Sequence, residues 1–463
     1  MGTGTRWMNR ASIFLLLMGG GISIIWGISL ERSVRGGVMG FPGIYFGTKC
    51  LLQGGDPYDV NQLERVYQAQ GIPIPSESIE RRQSVTRYVN LPTTFLFVAP
   101  FTLLPLAAAQ TLWLLLVVGS FSLAAFLMWR LGRNYAPGVS LLLTFIVLAN
   151  CEIIFSGGNT AGLVVGLCVI AVWCLLNERF ALLGVICLAS SLAIKPHDVG
   201  LVWIYFLLAG RAQGKRALQA GALALALALI GTLWASHVAP HWASELRSNL
   251  ATISAHGGIN EPGPTSIGVS SPDMIIDLQT VVSIFRDDPR IYNPVTYAIC
   301  GIILLIWIVA VLRSRPMPEN ALFALVSCAA LSMLVTYHRS YDAKLLLLSV
   351  PACAMLWADG RAVRWIALIL SAAGLLITGD IPLAIVTQET RSLHLSDYGL
   401  AGRLLYIVLA RPAPLILSAI AVFYLSIMVR RAGNDHSALN GDGHEPDSTK
   451  PAPTSTMLVS PVL

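Results

Sequence analysis

Charged residues are scarce in this chain: only 12% of its 463 residues are Asp, Glu, Lys or Arg, whereas 55% are hydrophobic. A soluble domain carries roughly a quarter charged residues, so the composition excludes a protein whose main solvent is water. Apolar runs of roughly 20 residues, the length that crosses a bilayer core, recur along almost the whole sequence. The composition therefore predicts one all-α, polytopic membrane domain.

Several sequence motifs are also lacking. The eight cysteines contain no CxxC spacing, so neither a disulfide framework nor a zinc site is expected. No GxGxxG pattern follows a strand and no Walker lysine loop occurs, which argues against a nucleotide-sugar or ATP domain. We therefore expect no cofactor and no metal. For a reaction outside the cytoplasm, where no nucleotide pool is at hand, an activated lipid phosphate is the natural donor.

The net charge of +6 does not indicate a nucleic-acid partner, because Lys and Arg stand in short clusters between apolar runs. The apolar run that follows Arg6 and Arg10 is too long for a signal peptide and should remain as the first span. The run over 92–105 is short and interrupted by prolines, which favours a re-entrant or interfacial segment. We predict about 12 spanning helices, over residues 11–30, 109–129, 139–156, 161–177, 180–195, 198–210, 217–236, 294–312, 319–337, 343–358, 364–384 and 411–429.

Basic residues alternate between the two sides of this bundle, as the positive-inside rule requires. With the N-terminus inside, every inner connection is basic: Arg130 and Arg133; Arg179; Arg211, Lys215 and Arg216; Arg313 and Arg315; Arg361 and Arg364; Arg430 and Arg431. The membrane domain is predicted to span 1–430, with outer loops 31–92 and 237–292, before a disordered cytoplasmic tail over 431–463. The outer face then collects the polar turns 157–160, 195–198 and 338–342 and the segment 387–403.

In the first outer loop, the turn Gly54-Gly55-Asp56-Pro57-Tyr58-Asp59 presents two carboxylates. Asp56 or Asp59 is a candidate general base that takes a proton from an attacking hydroxyl. Asp56 is equally suited to capping a short helix, as Asp often does before proline. At the end of the loop, Arg87 and Asn90 either orient a head group or anchor the chain at the interface.

Two further outer turns carry cations that the orientation rule does not explain. Lys195 ends one apolar helix and His197 begins the next, so Lys195 either snorkels to the interface or neutralises a phosphate leaving group. The stretch from His338 to Lys344 is the most polar turn between two spans. Arg339 offers a planar donor fork for phosphate and His338 can donate to an oxyanion, although Arg339 and Asp342 also suit a structural ion pair.

The second outer loop combines aromatic and polar residues that suit sugars, including Trp234, His241, Trp242, Glu245, His256 and Glu261. An amphipathic interfacial helix is expected over 240–250. Asp287 and Asp288 lack other ligands at a recognisable spacing, so they do not alter the expectation that no metal is bound.

At these residues the chain resembles glycosyltransferase family 87, the polyprenol-phosphate-mannose-dependent mannosyltransferases of the GT-C superfamily. The resemblance covers most of the membrane domain. It rests on Gly-Gly-Asp-Pro-Tyr at 54–58, Asn-Leu-Pro-Thr at 90–93, Pro100, Leu-Leu-Pro at 103–105, Gly-Asn at 158–159, Lys-Pro at 195–196 and His-Arg-Ser-Tyr-Asp at 338–342.

The resemblance implies an inverting transfer of a hexose, most often mannose, from a polyprenyl-phosphate donor to a lipid or glycan acceptor at the periplasmic face of the cell inner membrane. An aspartate of the first outer loop, Asp56 or Asp59, would act as base. Members of the family carry an aspartate five residues before the tyrosine that aligns with Tyr45, where this chain has Gly40. Lys195, His338 and Arg339 would bind the donor phosphate, and the expected substrate-binding residues are Tyr58, Arg87, Asn90, Asn159, His197, Tyr341 and Asp342.

Two other functions fit a membrane protein with a polar outer face. A transporter or flippase for lipid-linked sugars would need polar residues near the midplane and often shows repeated halves, which the sequence does not clearly contain. An O-antigen-ligase-like oligosaccharide transferase would use similar Arg and His residues, but it would release polyprenyl diphosphate rather than the monophosphate.

Overall fold

The computed structural model describes residues 3–33, 40–72, 74, 79–156, 158–178, 180–264, 266, 274–314, 318–390 and 399–440. Over these residues the chain is helical apart from turns and one isolated β-bridge between Ile275 and Arg339. The prediction of an all-α bundle is confirmed. The predicted connections at Arg179 and Arg315 lie outside the described residues.

The first twelve helices run from the N-terminus to the second outer loop. They are α1 (Thr3–Ser33), α2 (Phe41–Leu52), α3 (Val60–Ala69), α4 (Ile79–Thr86), α5 (Thr93–Val98), α6 (Leu106–Arg133), α7 (Pro137–Leu148), α8 (Glu152–Ser156), α9 (Thr160–Asn177), α10 (Ala181–Ile194), α11 (Pro196–Leu208) and α12 (Arg211–Val238). A 3₁₀ helix, Ala99–Leu103, follows α5 directly. The apolar run over 92–105 thus forms two short helices.

The remaining helices include three, over 242–254, 279–285 and 399–410, that do not correspond to predicted spans. The full set is α13 (Trp242–Ser254), α14 (Gln279–Phe285), α15 (Pro289–Arg313), α16 (Pro318–Val335), α17 (Ser349–Ala358), α18 (Val363–Ile377), α19 (Asp380–Thr390), α20 (Gly399–Ala410) and α21 (Pro412–Asn440). A second 3₁₀ helix, Asp342–Leu348, leads directly into α17. Helix α13 confirms the expected helix in the second outer loop.

Among the described residues, five helices are long and apolar enough to cross a membrane: α6, α9, α12, α15 and the first part of α21, Pro412–Ala432. The other predicted spans coincide with shorter apolar helices or with pairs broken by a turn, such as α7 with α8 and α18 with α19. A membrane bundle follows from these lengths, whereas the number of about 12 spans stays a prediction.

Helix α9 lies at the centre of the N-terminal part of the bundle. Within its apolar window 78% of residues are buried, against 17% for α12, so α12 has a surface left for lipid. Small residues let α9 approach α6 closely, since a Cβ on Gly166 would lie 2.9 Å from the backbone carbon of Ser120. Gly162 and Gly166 are four residues apart, the spacing of small residues at close helix contacts in membranes.

Connections predicted to lie on the inner side are brought together in pairs. Arg216 at the start of α12 lies 3.6 Å from Glu178 at the end of α9. Arg431 in α21 forms an ion pair with Asp359 at the end of α17. These contacts agree with the alternation of basic clusters along the chain.

Helix α21 continues through residue 440, ten residues into the segment expected to be a disordered tail, and 441–463 lie outside the described residues. The division into a membrane domain over 1–430 and a tail over 431–463 stays a prediction.

Candidate active site

A charged cluster forms where the turn between α10 and α11 meets the turn between α16 and the second 3₁₀ helix. We call it the 195/338 cluster; its members are Lys195, His197, Asp198, His338, Tyr341 and Asp342. Proline at position 196 presets the backbone for the first turn of α11, so His197 and Asp198 leave that turn in directions set by the helix. Charged groups are costly in a membrane protein unless they pair or face a ligand.

Lys195 joins the two turns. Its Nζ lies 2.5 Å from Asp342 Oδ1 and 3.1 Å from Asp198 Oδ2, and both carboxylates are buried. Its ammonium also lies 5.5 Å from the centre of the Tyr341 ring, a cation–π distance. Two buried carboxylates therefore surround the Lys195 ammonium and compensate its charge.

Two histidines meet the same carboxylate. His197 Nε2 lies 3.1 Å and His338 Nε2 lies 3.4 Å from Asp198 Oδ1. His338 is fully buried, whereas the side chain of His197 is 43% exposed. Asp198 therefore organises the cluster, because it contacts Lys195 and both imidazoles.

Arg339 lies next to the cluster and extends toward the second outer loop. Its backbone NH donates to Asp342 Oδ2, and its guanidinium donates to the carbonyl O of Ile259 at 3.0 Å and to Asn260 Oδ1 at 3.3 Å. The short bridge between 274–276 and 338–340 holds this turn, since Ile276 N donates to His338 O at 3.0 Å. Arg339 thus connects the cluster to the segment that follows α13.

The first outer loop holds its aspartates through local hydrogen bonds. Asp56 Oδ1 accepts from Tyr58 N at 2.8 Å, an Asx turn. Just before it, Gly54 ends α2 with a positive φ of 81°, a conformation that glycine adopts readily. Burial raises the pKa of Asp56; hydrogen bonds from backbone NH groups act in the opposite direction, and the charge of Asp59 adds to the rise.

Asp59, and not Asp56, caps the next helix. Its Oδ1 accepts from Asn61 N at 2.8 Å at the start of α3, and its Oδ2 accepts from Gln62 Nε2 at 2.9 Å. Gln62 Oε1 in turn accepts from Asp56 N at 2.9 Å. Burial acts to raise the pKa of Asp59, but the hydrogen bonds from Gln62 and Asn61 outweigh it and lower the pKa.

Asn249 of α13 fastens this loop to the second outer loop. Its Nδ2 donates to Tyr58 O at 2.8 Å and to Tyr88 O at 3.2 Å, and its Oδ1 accepts from Arg87 Nη1 at 2.9 Å. Tyr58 is completely buried and its hydroxyl donates to Asn90 O at 2.8 Å. The side chains expected to bind substrate at 58 and 87 therefore also hold the loops together.

The two regions are linked at two points. Thr93 Oγ1, three residues after Asn90, donates to Ala193 O, two residues before Lys195. Asn260, which contacts Arg339, donates its backbone NH to Ile253 O in α13 at 2.8 Å. Four of the predicted outer segments, 54–59, 90–93, 195–198 and 338–342, are thereby connected through α13 and α5 on one side of the bundle.

Asn159 caps α9 by accepting from Ala161 N at 2.9 Å.

The sequence of this chain matches the family model of glycosyltransferase family 87 over residues 88–336, more than half of the chain. The chain belongs to glycosyltransferase family 87. No curated protein and no solved structure matches it. It is therefore a membrane glycosyltransferase that uses a sugar donor and an acceptor.

The matched range begins at Tyr88, one residue after Arg87, and includes Asn159 and Lys195. It ends two residues before His338. Asp56 and the 338–342 turn lie outside the matched range of this family 87 protein. Within the described residues, the structure supplies an aspartate at position 56 and two cations, Lys195 and Arg339, near the imidazole of His338.

Two groups of side chains among the described residues have metal-ligating atoms within 4.8 Å of one another. One is His197, Asp198 and His338 in the 195/338 cluster. The other is His256, Glu261 and Asp287 in the second outer loop, where His256 Nδ1 lies 2.6 Å from Glu261 Oε1.

Asp198 was not among the predicted site residues of this family 87 protein, although it stands in the Lys-Pro-His-Asp turn. A second buried cluster was also missed: Lys344 Nζ lies 3.2 Å from Asp380 Oδ1, and Asp380 Oδ2 accepts from Ile153 N at 2.7 Å, next to the buried Glu152. To predict Asp198 as a site residue, or the cluster around Asp380, one would need to know which spans are neighbours. The one available signal was an acidic residue inside an apolar run.

Proposed function

We infer that this membrane glycosyltransferase moves a hexose, with mannose as the expected sugar, from a polyprenyl-phosphate donor to a hydroxyl of a lipid or glycan acceptor. The reaction takes place at the periplasmic face of the cell inner membrane and inverts the anomeric configuration. The observation that carries this proposal is the convergence of Lys195, His338 and Arg339 from two distant turns, beside loops that also hold Asp56.

The cations support a phosphate leaving group. A lysine ammonium has three N–H donors, and the two carboxylate contacts of Lys195 at 2.5 and 3.1 Å leave one donor for a phosphate oxygen. Arg339 adds a planar donor group to the same turn. Preorganised cations of this kind stabilise the charge that develops on the departing phosphate.

Asp56 is the better candidate for the base. Asp59 uses both carboxylate oxygens to cap α3 and to hold Gln62, whereas the Asp56 carboxylate accepts from the backbone NH groups of Tyr58 and Asp59 and keeps lone pairs for an acceptor hydroxyl. We assign to Asp59 the positioning of Asp56 through Gln62. Gly40 has φ of 74°, a conformation that an aspartate rarely adopts, which agrees with a base elsewhere in the loop.

The inverting outcome follows from direct displacement. The acceptor hydroxyl attacks the anomeric carbon as Asp56 takes its proton, and the bond from that carbon to the phosphate oxygen breaks on the opposite side. The electron pair leaves with the polyprenyl phosphate, whose developing negative charge meets the Lys195 ammonium and the Arg339 guanidinium. His197 and Tyr341, at the partly exposed side of the cluster, are placed to contact the sugar or the phosphate.

The test is transfer of labelled mannose from polyprenyl-phosphate mannose by purified protein, with Arg339→Ala and Arg361→Ala as a matched pair. Arg361 is exposed in the connection after α17. We expect transfer by wild type and Arg361→Ala, and weakened donor binding by Arg339→Ala. If wild type leaves the lipid donor intact and Arg339→Ala binds it equally well, the proposal is wrong.

The products separate the other two functions. A flippase would move the labelled lipid across a liposome membrane without changing its covalent linkage. A ligase would act on a preassembled glycan and release polyprenyl diphosphate. Either result, in place of polyprenyl monophosphate release, would contradict the proposed transfer.

A further inference from the structure

The Nε2 atom of His338 faces the carboxylate of Asp198, which is ionised and has no proton to donate. Its Nδ1 lies 2.8 Å from the carbonyl O of Thr336, a contact that a carbonyl oxygen makes with an N–H, so the proton resides on Nδ1. In the neutral ring, Nε2 then carries a lone pair and lies 3.4 Å from Asp198 Oδ1. Two acceptors that face each other in a buried contact require a cation between them, either a second ring proton or a metal ion.

His197 brings a second imidazole to the same point. Its Nε2 lies 3.1 Å from Asp198 Oδ1, and the two rings are tilted by 54° with centroids 5.2 Å apart. The rings therefore do not stack, and their donor atoms, with one carboxylate oxygen of Asp198, all lie within 4.8 Å of one another. Three ligand atoms of the kinds that transition metals prefer surround one small space.

The distances from Asp198 to the two imidazoles are those of ligands that share a metal ion. Donor atoms at about 2.0–2.1 Å from a zinc ion stand about 2.8–3.4 Å apart for angles between octahedral and tetrahedral. The distances of 3.1 and 3.4 Å from Asp198 Oδ1 to the two imidazole nitrogens fall in that range. Hydrogen bonds are the alternative occupants of the same space, with His197 donating its Nε2–H and a doubly protonated His338 donating to Asp198 Oδ1.

We propose that His197 Nε2, His338 Nε2 and Asp198 form a site for a divalent transition-metal ion, with zinc as the best match to two imidazoles and one carboxylate. This revises the expectation of a metal-free protein. The site goes beyond the proposed function, because metal binding does not depend on which sugar or lipid the enzyme uses. Three protein ligands leave a coordination position for water or an anionic oxygen, and His197 marks the exposed side.

The surroundings support the ligands as metal sites usually do. The carbonyl O of Thr336 fixes the ring of His338 through Nδ1, and Lys195 Nζ lies 3.1 Å from the second oxygen of Asp198. Such contacts orient imidazole and carboxylate ligands. The backbone is held too, since His338 O accepts from Ile276 N at 3.0 Å.

The charge of the cluster also accommodates the ion. With both imidazoles neutral, the positive charge of Lys195 and the negative charges of Asp198 and Asp342 leave a net charge of −1. A divalent ion changes the net charge to +1, which attracts an anion such as a phosphate. Metal binding and the proposed donor would therefore reinforce each other.

The second group of potential ligands provides an internal comparison. In the group of His256, Glu261 and Asp287, both Glu261 oxygens already accept hydrogen bonds, from His256 Nδ1 at 2.6 Å and from Gly257 N at 2.7 Å. The side chain of His256 is 80% exposed. That group is satisfied without an ion, and His256 serves as a matched control for His197.

The experiment measures metal bound per chain in the purified full-length protein, after chelator treatment and equilibrium dialysis against Zn²⁺. We expect one equivalent in wild type and in His256→Ala. In His197→Ala and in His338→Gln the affinity should fall at least about tenfold. Because His197 is exposed, its replacement leaves the fold intact, which circular dichroism checks. In the Co²⁺-loaded wild type, visible absorption bands of a cobalt–imidazole site should appear and be missing in His197→Ala.

Three results would overturn the site. Wild type that binds no stoichiometric zinc would show that a proton lies between His338 and Asp198. Equal zinc affinity in wild type and His197→Ala would place the metal elsewhere, and loss of zinc in His256→Ala alone would assign it to the second outer loop. None of these readouts uses sugar transfer, so failure of the transfer assay would leave this test unaffected.

Discussion

The aspartates of the first outer loop and those of the 195/338 cluster are held in opposite ways. Asp56 and Asp59 bond to groups two or three positions away along the chain. Asp198 and Asp342 meet at Lys195, and the contact between Lys195 and Asp342 joins residues 147 positions apart. The loop is therefore a local structure whose carboxylates can be changed singly, whereas the cluster is part of the packing of the bundle.

The largest expected effect tests the cluster side of this comparison. Lys195→Met removes the cation and leaves Asp198 and Asp342 buried without their ion pair, which should lower the free energy of unfolding by about 3–5 kcal/mol. Denaturant unfolding in detergent, followed by tryptophan fluorescence, measures it. Lys215→Met, at an exposed lysine, is the control and should unfold as wild type does. Equal midpoints for the two variants would show that the ion pairs do not stabilise the bundle.

The loop side predicts a loss of catalysis without a loss of stability. Asp56→Asn keeps the acceptor oxygen for Tyr58 N but cannot take a proton, so turnover should fall by about 10²–10⁴-fold, with unchanged donor affinity and unfolding midpoint. Steady-state transfer of labelled sugar and donor binding separate these quantities. Turnover equal to that of wild type would remove Asp56 as the base.

The coupling between the two loop carboxylates can be read from the pH profile. Burial raises the pKa of Asp56 and the charge of Asp59 raises it further, and a base works only when deprotonated. Transfer should therefore decline as the pH falls through the pKa of Asp56. Asp59→Asn removes one negative charge while keeping a capping side chain, so the acid limb should move to lower pH, by less than about one unit. An unmoved limb, or one that moves to higher pH, would contradict this assignment.

The smallest effect concerns the contact that closes the first outer loop. Tyr58→Phe deletes the hydroxyl that donates to Asn90 O and should lower the free energy of unfolding by about 0.5–1.5 kcal/mol. Tyr297→Phe, at a residue 49% exposed, is the matched control. If Tyr58→Phe instead weakens acceptor binding at unchanged stability, the hydroxyl serves the substrate and the loop is not held by this bond.

Within the fold, the sequence alone predicted what depends on local patterns. Hydropathy identified an all-α membrane bundle, and the helices of the structure follow the order of the predicted apolar runs. The number of spans does not follow, because several helices, such as α10 and α11, are shorter than a bilayer core requires. Within the site, the polar turns at Asp56, Lys195 and His338 were recognisable because they interrupt apolar runs.

What the tertiary structure decided is which of these groups face each other. The sequence places Asp198 beside His197 but not against His338, and it places Lys344 in the same turn as Asp342 without indicating that Lys344 meets Asp380 instead. Helix periodicity and turn chemistry act over a few residues, so they can be recognised from the sequence. Ion pairs between spans depend on which helices become neighbours, and that choice is made only when the whole bundle packs.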